Sequence, residues 1–187
     1  MKIVLASSSP RRKELLETAG ISFEIDVEGV DETPIGNTPE EKVCSIAEQK
    51  CAPVAARRKA DCVIGADTVV SLDGDILGKP KDEADAKAMI RRLSGREHTV
   101  YTGVCIINAD KKLVFCEATR VKFFELSQED IDAYVSSGEP MDKAGAYGIQ
   151  GLGCTLVEGI CGDYFNVVGL PVAKTVRVIN QMTEGEI

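Results

Sequence analysis

Three serines, a proline and two arginines, Ser7-Ser8-Ser9-Pro10-Arg11-Arg12, follow directly on the apolar run Ile3-Val4-Leu5. A strand, a loop of small residues and a helix start leave backbone N–H groups free beside a positive dipole end. Two guanidinium groups added there make the composition of a phosphate-binding site. It is not the P-loop, whose G-x-x-x-x-G-K-[ST] pattern is absent. The competing reading is a basic surface turn, since acidic residues are the usual preference at a helix start.

Asp67, in Val63-Ile64-Gly65-Ala66-Asp67-Thr68-Val69-Val70, interrupts an apolar strand. An ionised carboxylate in that setting is costly unless it meets a cation, a metal or several donors. It is either a buried aspartate tying down loop N–H groups or a metal-linked general base. Lys50 shares a helical face with Val43, Ile46, Ala47 and Val54, so its ammonium either points inward or snorkels to water. Lys79, between Gly78 and Pro80, follows the hairpin whose first strand carries Asp67. Two lysines and two arginines gathered about one carboxylate would form a triphosphate pocket. Glu32, in the acidic turn Val30-Asp31-Glu32-Thr33, is a candidate to join Asp67 in holding a hard divalent ion, magnesium or manganese, with phosphates as co-ligands. Gln150, in the glycine-rich segment Lys143–Gly153, offers a donor and an acceptor that match the edge of uracil or thymine. Taken alone, that segment also reads as a flexible surface loop.

The 187 residues are enough for one domain, and at 44% hydrophobic and 28% charged they have an ordinary globular composition. The net charge of −8 makes nucleic acid and anionic membrane poor partners, so an anionic ligand needs a local basic pocket. Seven cysteines with no C-x-x-C pair, and a single histidine, His98, argue against structural zinc. An odd number of thiols and no apolar leader or membrane span point to a reducing cytoplasm, with most cysteines acting as small buried hydrophobes.

The elements that must position these residues alternate. Ile3–Leu5 reads as a strand, and the next helix is capped by Ser9 and closed by Gly20. Phe23–Val27 is a second strand. Thr38-Pro39-Glu40-Glu41 is a capping box opening a helix that Pro53 should break or kink. Cys62–Leu72 is a strand turned by Asp73-Gly74, and Glu83–Leu93 a helix. Strands Thr99–Ile107 and Leu113–Leu126 follow, joined near Asn108-Ala109-Asp110. Then come a helix from Ser127 to Val135, a strand Thr155–Ile160 and a final helix from Leu170-Pro171. The hairpins exclude a purely parallel sheet; the reading is a mixed α/β domain folded as two lobes about a cleft.

These segments occur together and in order in one family. LASSSPRRKELL, VDET, AEQK, VIGADTVV, LGKPKD, LSGREHTVYTGV and KAGAYGIQGLG resemble the Maf-type nucleoside triphosphate pyrophosphatases, from about residue 3 to residue 180. The resemblance implies one domain over residues 1–187, two lobes around a twisted mixed sheet with flanking helices, similar to inosine triphosphatases. It implies hydrolysis of a nucleoside triphosphate to the monophosphate and pyrophosphate with a divalent cation. The family's catalytic aspartate falls on Asp67, its phosphate contacts on Ser7, Arg12, Lys50 and Lys79, and its acidic metal partner on Glu32. The dTTP/UTP subgroup is marked by an arginine, a threonine and a glutamine, which fall on Arg11, Thr68 and Gln150. A sister subgroup prefers 7-methyl-GTP. A homodimer is the family expectation, and clearance of modified pyrimidine nucleotides an extension of the activity. The rival classes are a nucleotide-binding regulator of septum formation and a nucleotidyltransferase.

Overall fold

The computed structural model describes residues 1–59, 61–109 and 111–184, the side chain of residue 184 excepted. Asp110, part of the expected turn after Asn108, lies outside the described residues. The chain runs β1 (Ile3–Leu5), α1 (Pro10–Thr18), β2 (Phe23–Ile25), α2 (Pro39–Arg57), β3 (Cys62–Leu72), β4 (Asp75–Leu77), α3 (Glu83–Leu93), β5 (Glu97–Asn108), β6 (Lys111–Phe123), α4 (Gln128–Ser136), β7 (Val157–Cys161), α5 (Tyr164–Val168) and α6 (Val172–Glu184). The strands form one mixed sheet in the order β2-β1-β3-β5-β6-β7, with β4 on β3. β1 pairs parallel with both β2 and β3, while β3–β4 and β6–β7 are antiparallel. This is the mixed α/β architecture that the alternation of elements predicts.

Two compact units divide the chain: residues 1–67, 102–117 and 169–187 in the first, 68–101 and 118–168 in the second. The first has a core of Val4, Ala6, Ala47, Cys51, Val54, Val63 and Cys105. Each valine fully buried there contributes about 1.5–3 kcal/mol. The second is built around Val70, Leu72, Ile90, Leu93, Phe123, Tyr134 and Tyr147. Within it the rings of His98, Phe123 and Tyr147 meet edge to face, with centroids 4.7–5.3 Å apart.

Local chemistry sets most boundaries. The Thr38 hydroxyl accepts the Glu41 N–H at 3.2 Å while the Glu41 carboxylate accepts the N–H groups of Thr38 and Asn37, so α2 starts where the capping box puts it. Ser127 caps α4 in the same way through Asp130. Of the break or kink expected at Pro53, the break does not occur: α2 continues through it to Arg57. Proline costs the Gln49 carbonyl its intrahelical donor, but Cys51 and Val54 on either side are fully buried, and that packing outweighs the missing bond.

Three strands are shorter or shifted from expectation. β2 stops at Ile25, and the Asp26 carboxylate pairs with Arg57 of α2. β6 leaves the sheet at Phe123, and the Leu126 N–H turns to the Ser94 hydroxyl at 2.7 Å. β7 begins at Val157 rather than Thr155, whose hydroxyl is used in a turn to the Leu152 carbonyl at 2.9 Å. All seven cysteines are free thiols, but only Cys51, Cys62 and Cys105 are buried. Cys44 and Cys116 are half-buried and Cys154 and Cys161 exposed, so the expectation that most would be core residues is corrected. Among the described residues no helix is long and apolar enough to cross a membrane.

Candidate active site

The parallel pairing of β1 with β3 ends at Leu5 opposite Ile64. Beyond it β1 turns into the serine loop, whereas β3 runs on for three residues to Asp67. The loop, the start of α1 and Asp67 therefore gather beyond the carboxyl end of β1, the usual ligand position in parallel sheets. Ser9 ends the loop at the N-cap position of α1, with Pro10 at the first turn as the sequence predicts, but its side chain makes no capping hydrogen bond.

Arg12, on the first turn of α1, is buried. Its Nε donates to the Gly169 carbonyl at 2.9 Å and its Nη1 to the Ser7 hydroxyl at 3.0 Å. Ser7 Oγ also accepts the Ser9 N–H at 3.3 Å, which leaves the hydroxyl proton for a ligand. Burial lowers the Arg12 pKa, and Asp67 and Glu32 oppose that shift while Arg11 adds to it. A guanidinium buried beside a helix start has the chemistry to take an anion, with the two carboxylates setting the local charge balance.

Lys50 joins the second half of the cluster. Its Nζ lies 2.8 Å from Asp67 Oδ1 and 3.1 Å from Glu32 Oε2. The side chain is 17% exposed, so it does not snorkel; it reaches inward to the aspartate despite Pro53. Two bonds leave the third ammonium proton for a phosphate oxygen. Two elements hold this geometry. The Gln49 amide donates to the Thr33 carbonyl at 2.8 Å and accepts the Thr33 N–H at 3.2 Å, and the Ser45 hydroxyl accepts the Ile35 N–H at 2.9 Å. The acidic turn carrying Glu32 is thus fastened to α2.

The other element is glycine. A Cβ on Gly65 of β3 would stand 2.4 Å from the Ala47 carbonyl oxygen, and one on Gly103 of β5 2.5 Å from that of Val43. α2 rests directly on two strand backbones, and this close approach brings Lys50 within reach of Asp67. Gln49, Gly65 and Gly103 are missed when the sequence is read for chemistry. Gln49 beside Lys50 in AEQK is the signal that was there to find.

The structure therefore brings together Ser7, Arg11, Arg12, Glu32, Lys50 and Asp67 in the first unit. Thr68, Lys79 and Gln150 belong to the second. Thr68 is half-buried on β3, whereas Lys79 and Gln150 are exposed. The Gly78 carbonyl beside Lys79 accepts the Gly145 N–H at 2.9 Å, which ties its backbone to the glycine-rich segment. Among the described residues no three histidine, cysteine, aspartate or glutamate side chains form a metal-binding group. Two carboxylates converging on one ammonium fit a smaller donor set: a hard ion bound by one or two carboxylates and completed by substrate phosphates.

A dTTP/UTP pyrophosphatase of Bacillus cereus strain AH820 is 56% identical over 182 residues, covering 96% of this chain and 95% of that protein. Those of Bacillus thuringiensis subsp. konkukian strain 97-27 and Bacillus mycoides strain KBAB4 are 56% and 55% identical over the same lengths. The Ham1 protein of Staphylococcus aureus aligns over 66% of this chain and 72% of its own at 18% identity, with a TM-score of 0.46. The profile described as Maf-like protein matches residues 2–182, and the chain belongs to the Maf family.

Proposed function

We propose that this protein hydrolyses dTTP and UTP to the nucleoside monophosphate and pyrophosphate. The observation that carries the reading is the Glu32–Lys50–Asp67 cluster, set beside the buried Arg12–Ser7 pair at the start of α1. The relatives' names supply the substrates.

In this reading, Arg12, Ser7 and the N–H groups of α1 take the triphosphate, Lys50 turns its third proton to it, and Lys79 adds a further phosphate contact. Asp67 orients a water for in-line attack at the α-phosphorus and accepts its proton. The new bond joins the water oxygen to the α-phosphorus; the bond broken is the one to the α–β bridging oxygen, and pyrophosphate departs with it. Glu32 and Asp67 would hold a magnesium or manganese ion, which when bound supplies charge neutralisation at the phosphates. Gln150 and Thr68, with Arg11, read the pyrimidine by its N–H and carbonyl edge, excluding cytosine by mismatch and purines by size. The working particle is a homodimer.

The experiment is release of pyrophosphate and orthophosphate from a panel of nucleoside triphosphates with magnesium, repeated in oxygen-18 water. Pyrophosphate from dTTP and UTP, with the label in the monophosphate, is expected. Orthophosphate, or label in pyrophosphate, overturns the bond assignment. Turnover of 7-methyl-GTP in preference to pyrimidines moves the protein to the sister activity. Tight binding without release makes it a nucleotide-responsive regulator.

A further inference from the structure

The segment that carries Gln150 hangs from one carboxylate. Glu139 Oε2 accepts the Leu152 N–H at 2.9 Å, and its Oε1 accepts the Gly153 N–H at 3.1 Å and the Tyr134 hydroxyl at 3.2 Å. The Tyr134 oxygen in turn accepts the Gly148 N–H at 3.2 Å. Both sides of Gln150 are therefore fixed, two residues before it and two and three after it, by a single Glu139–Tyr134 pair. Gly151 has φ +62°, and a Cβ there would lie 2.6 Å from Glu139 Oε2, so the segment and the carboxylate occupy contiguous space. Lys143 closes the arrangement, donating to the Glu139 carbonyl at 2.6 Å with its methylenes against Gly148. Gln150 itself is exposed and sits on a backbone whose conformation these bonds decide.

We infer that Glu139, with Tyr134, is a positioning residue for base selection: it holds the backbone on which Gln150 reads the pyrimidine edge. The inference rests on Gln150 being the base reader. A hydrogen-bonding reader discriminates strongly only when it is held still, because tolerance in its position lets the wrong edge find a partner. A carboxylate accepting two backbone N–H groups at once is a stronger tether than a neutral side chain. Glu139 itself touches no reacting atom in this scheme.

The test compares kcat/KM for dTTP and dCTP in the full chain, Gln150→Ala, Glu139→Gln, Tyr134→Phe and the double variant Glu139→Gln/Gln150→Ala. The glutamine keeps the shape of Glu139 but can accept only one of the two N–H groups. The dTTP preference is expected to fall about tenfold or more in Glu139→Gln, mostly through KM, and less in Tyr134→Phe. Because Glu139 acts through Gln150, the double variant should select no worse than Gln150→Ala alone. Glu139→Asp, which keeps the charge, should recover part of the preference. If Gln150→Ala leaves selection intact, the base-reader assignment fails and the inference with it. If Gln150→Ala loses selection while Glu139→Gln and Tyr134→Phe keep it, or the effects of Glu139→Gln and Gln150→Ala add in full, the assignment stands and the inference is overturned.

Discussion

The Lys50 ammonium stands 2.8 Å from Oδ1 of Asp67, and the helix that carries it rests on β3 at Gly65, two residues before that aspartate. The contact on the helix is Ala47, about one turn before Lys50. The spacing between helix and strand therefore sets the spacing between the two charges. The Lys50–Asp67 distance and the core packing are one measurement in this part of the protein.

Replacing Asp67 by asparagine keeps a carbonyl oxygen for Lys50 and removes the proton acceptor proposed for the reaction. Turnover should fall by about 10²–10⁴, while nucleotide still binds, with KM unchanged or lower because a negative charge has left the phosphate site. Pyrophosphate release and calorimetric titration measure the two separately. Full activity in this variant removes Asp67 from the chemistry.

Gly65→Ala drives a methyl group into the Ala47 carbonyl. Overpacking against backbone should cost about 1–3 kcal/mol of stability and, by lifting α2, lower kcat as well. Gly159→Ala, where a methyl group meets nothing within 4 Å, is the control and should stay within about 0.5 kcal/mol. Urea unfolding and steady-state kinetics on both proteins decide it. A stable Gly65→Ala protein with normal kcat would mean that the helix–strand spacing does not control the Lys50–Asp67 pair.

His98 gives the second unit a pH dependence. The ring is buried, its Nε2 lies 2.7 Å from the Tyr147 hydroxyl, and burial lowers its pKa to about 4. The unfolded chain takes up a proton near the ordinary value of 6.5, and the folded protein does not. Stability from this source is therefore complete above about pH 6.5, declines as the pH falls, and stops declining near 4. At 1.36 kcal/mol per pKa unit the whole loss is about 3 kcal/mol. Urea midpoints from pH 7.5 to 4.5 should show it in the native chain and not in His98→Gln. Carboxylates such as Glu24, held down to about 2 by Lys2 and Arg58, are common to both proteins and cancel. Parallel curves would acquit His98.

What the sequence discloses is what short-range chemistry decides. The capping boxes at Thr38 and Ser127, the turn at Asp73-Gly74 and the serine loop before α1 are each settled by residues within a few positions of one another. Asp67 is conspicuous because a carboxylate in an apolar strand needs a partner, and Lys50 is that partner. Pro53 does not end the helix because the buried Cys51 and Val54 beside it outweigh its local cost. Gly65, Gly103 and Glu139 stay silent for a related reason. Their meaning lies in atoms of Ala47, Val43 and Leu152–Gly153, which no spacing in the chain announces.

Arg12 and the carbonyl that holds it, that of Gly169, are separated by 157 positions. During synthesis the serine loop and α1 leave the ribosome early, yet the buried guanidinium lacks this acceptor until residue 169 has been made and has cleared the exit tunnel. The second unit, whose last residue is 168, can reach its complete sequence first. A nascent chain therefore carries the segment around Gln150 before the Arg12 guanidinium has its buried acceptor, and a ribosome stalled short of that point displays a first unit whose Arg12 is not yet anchored.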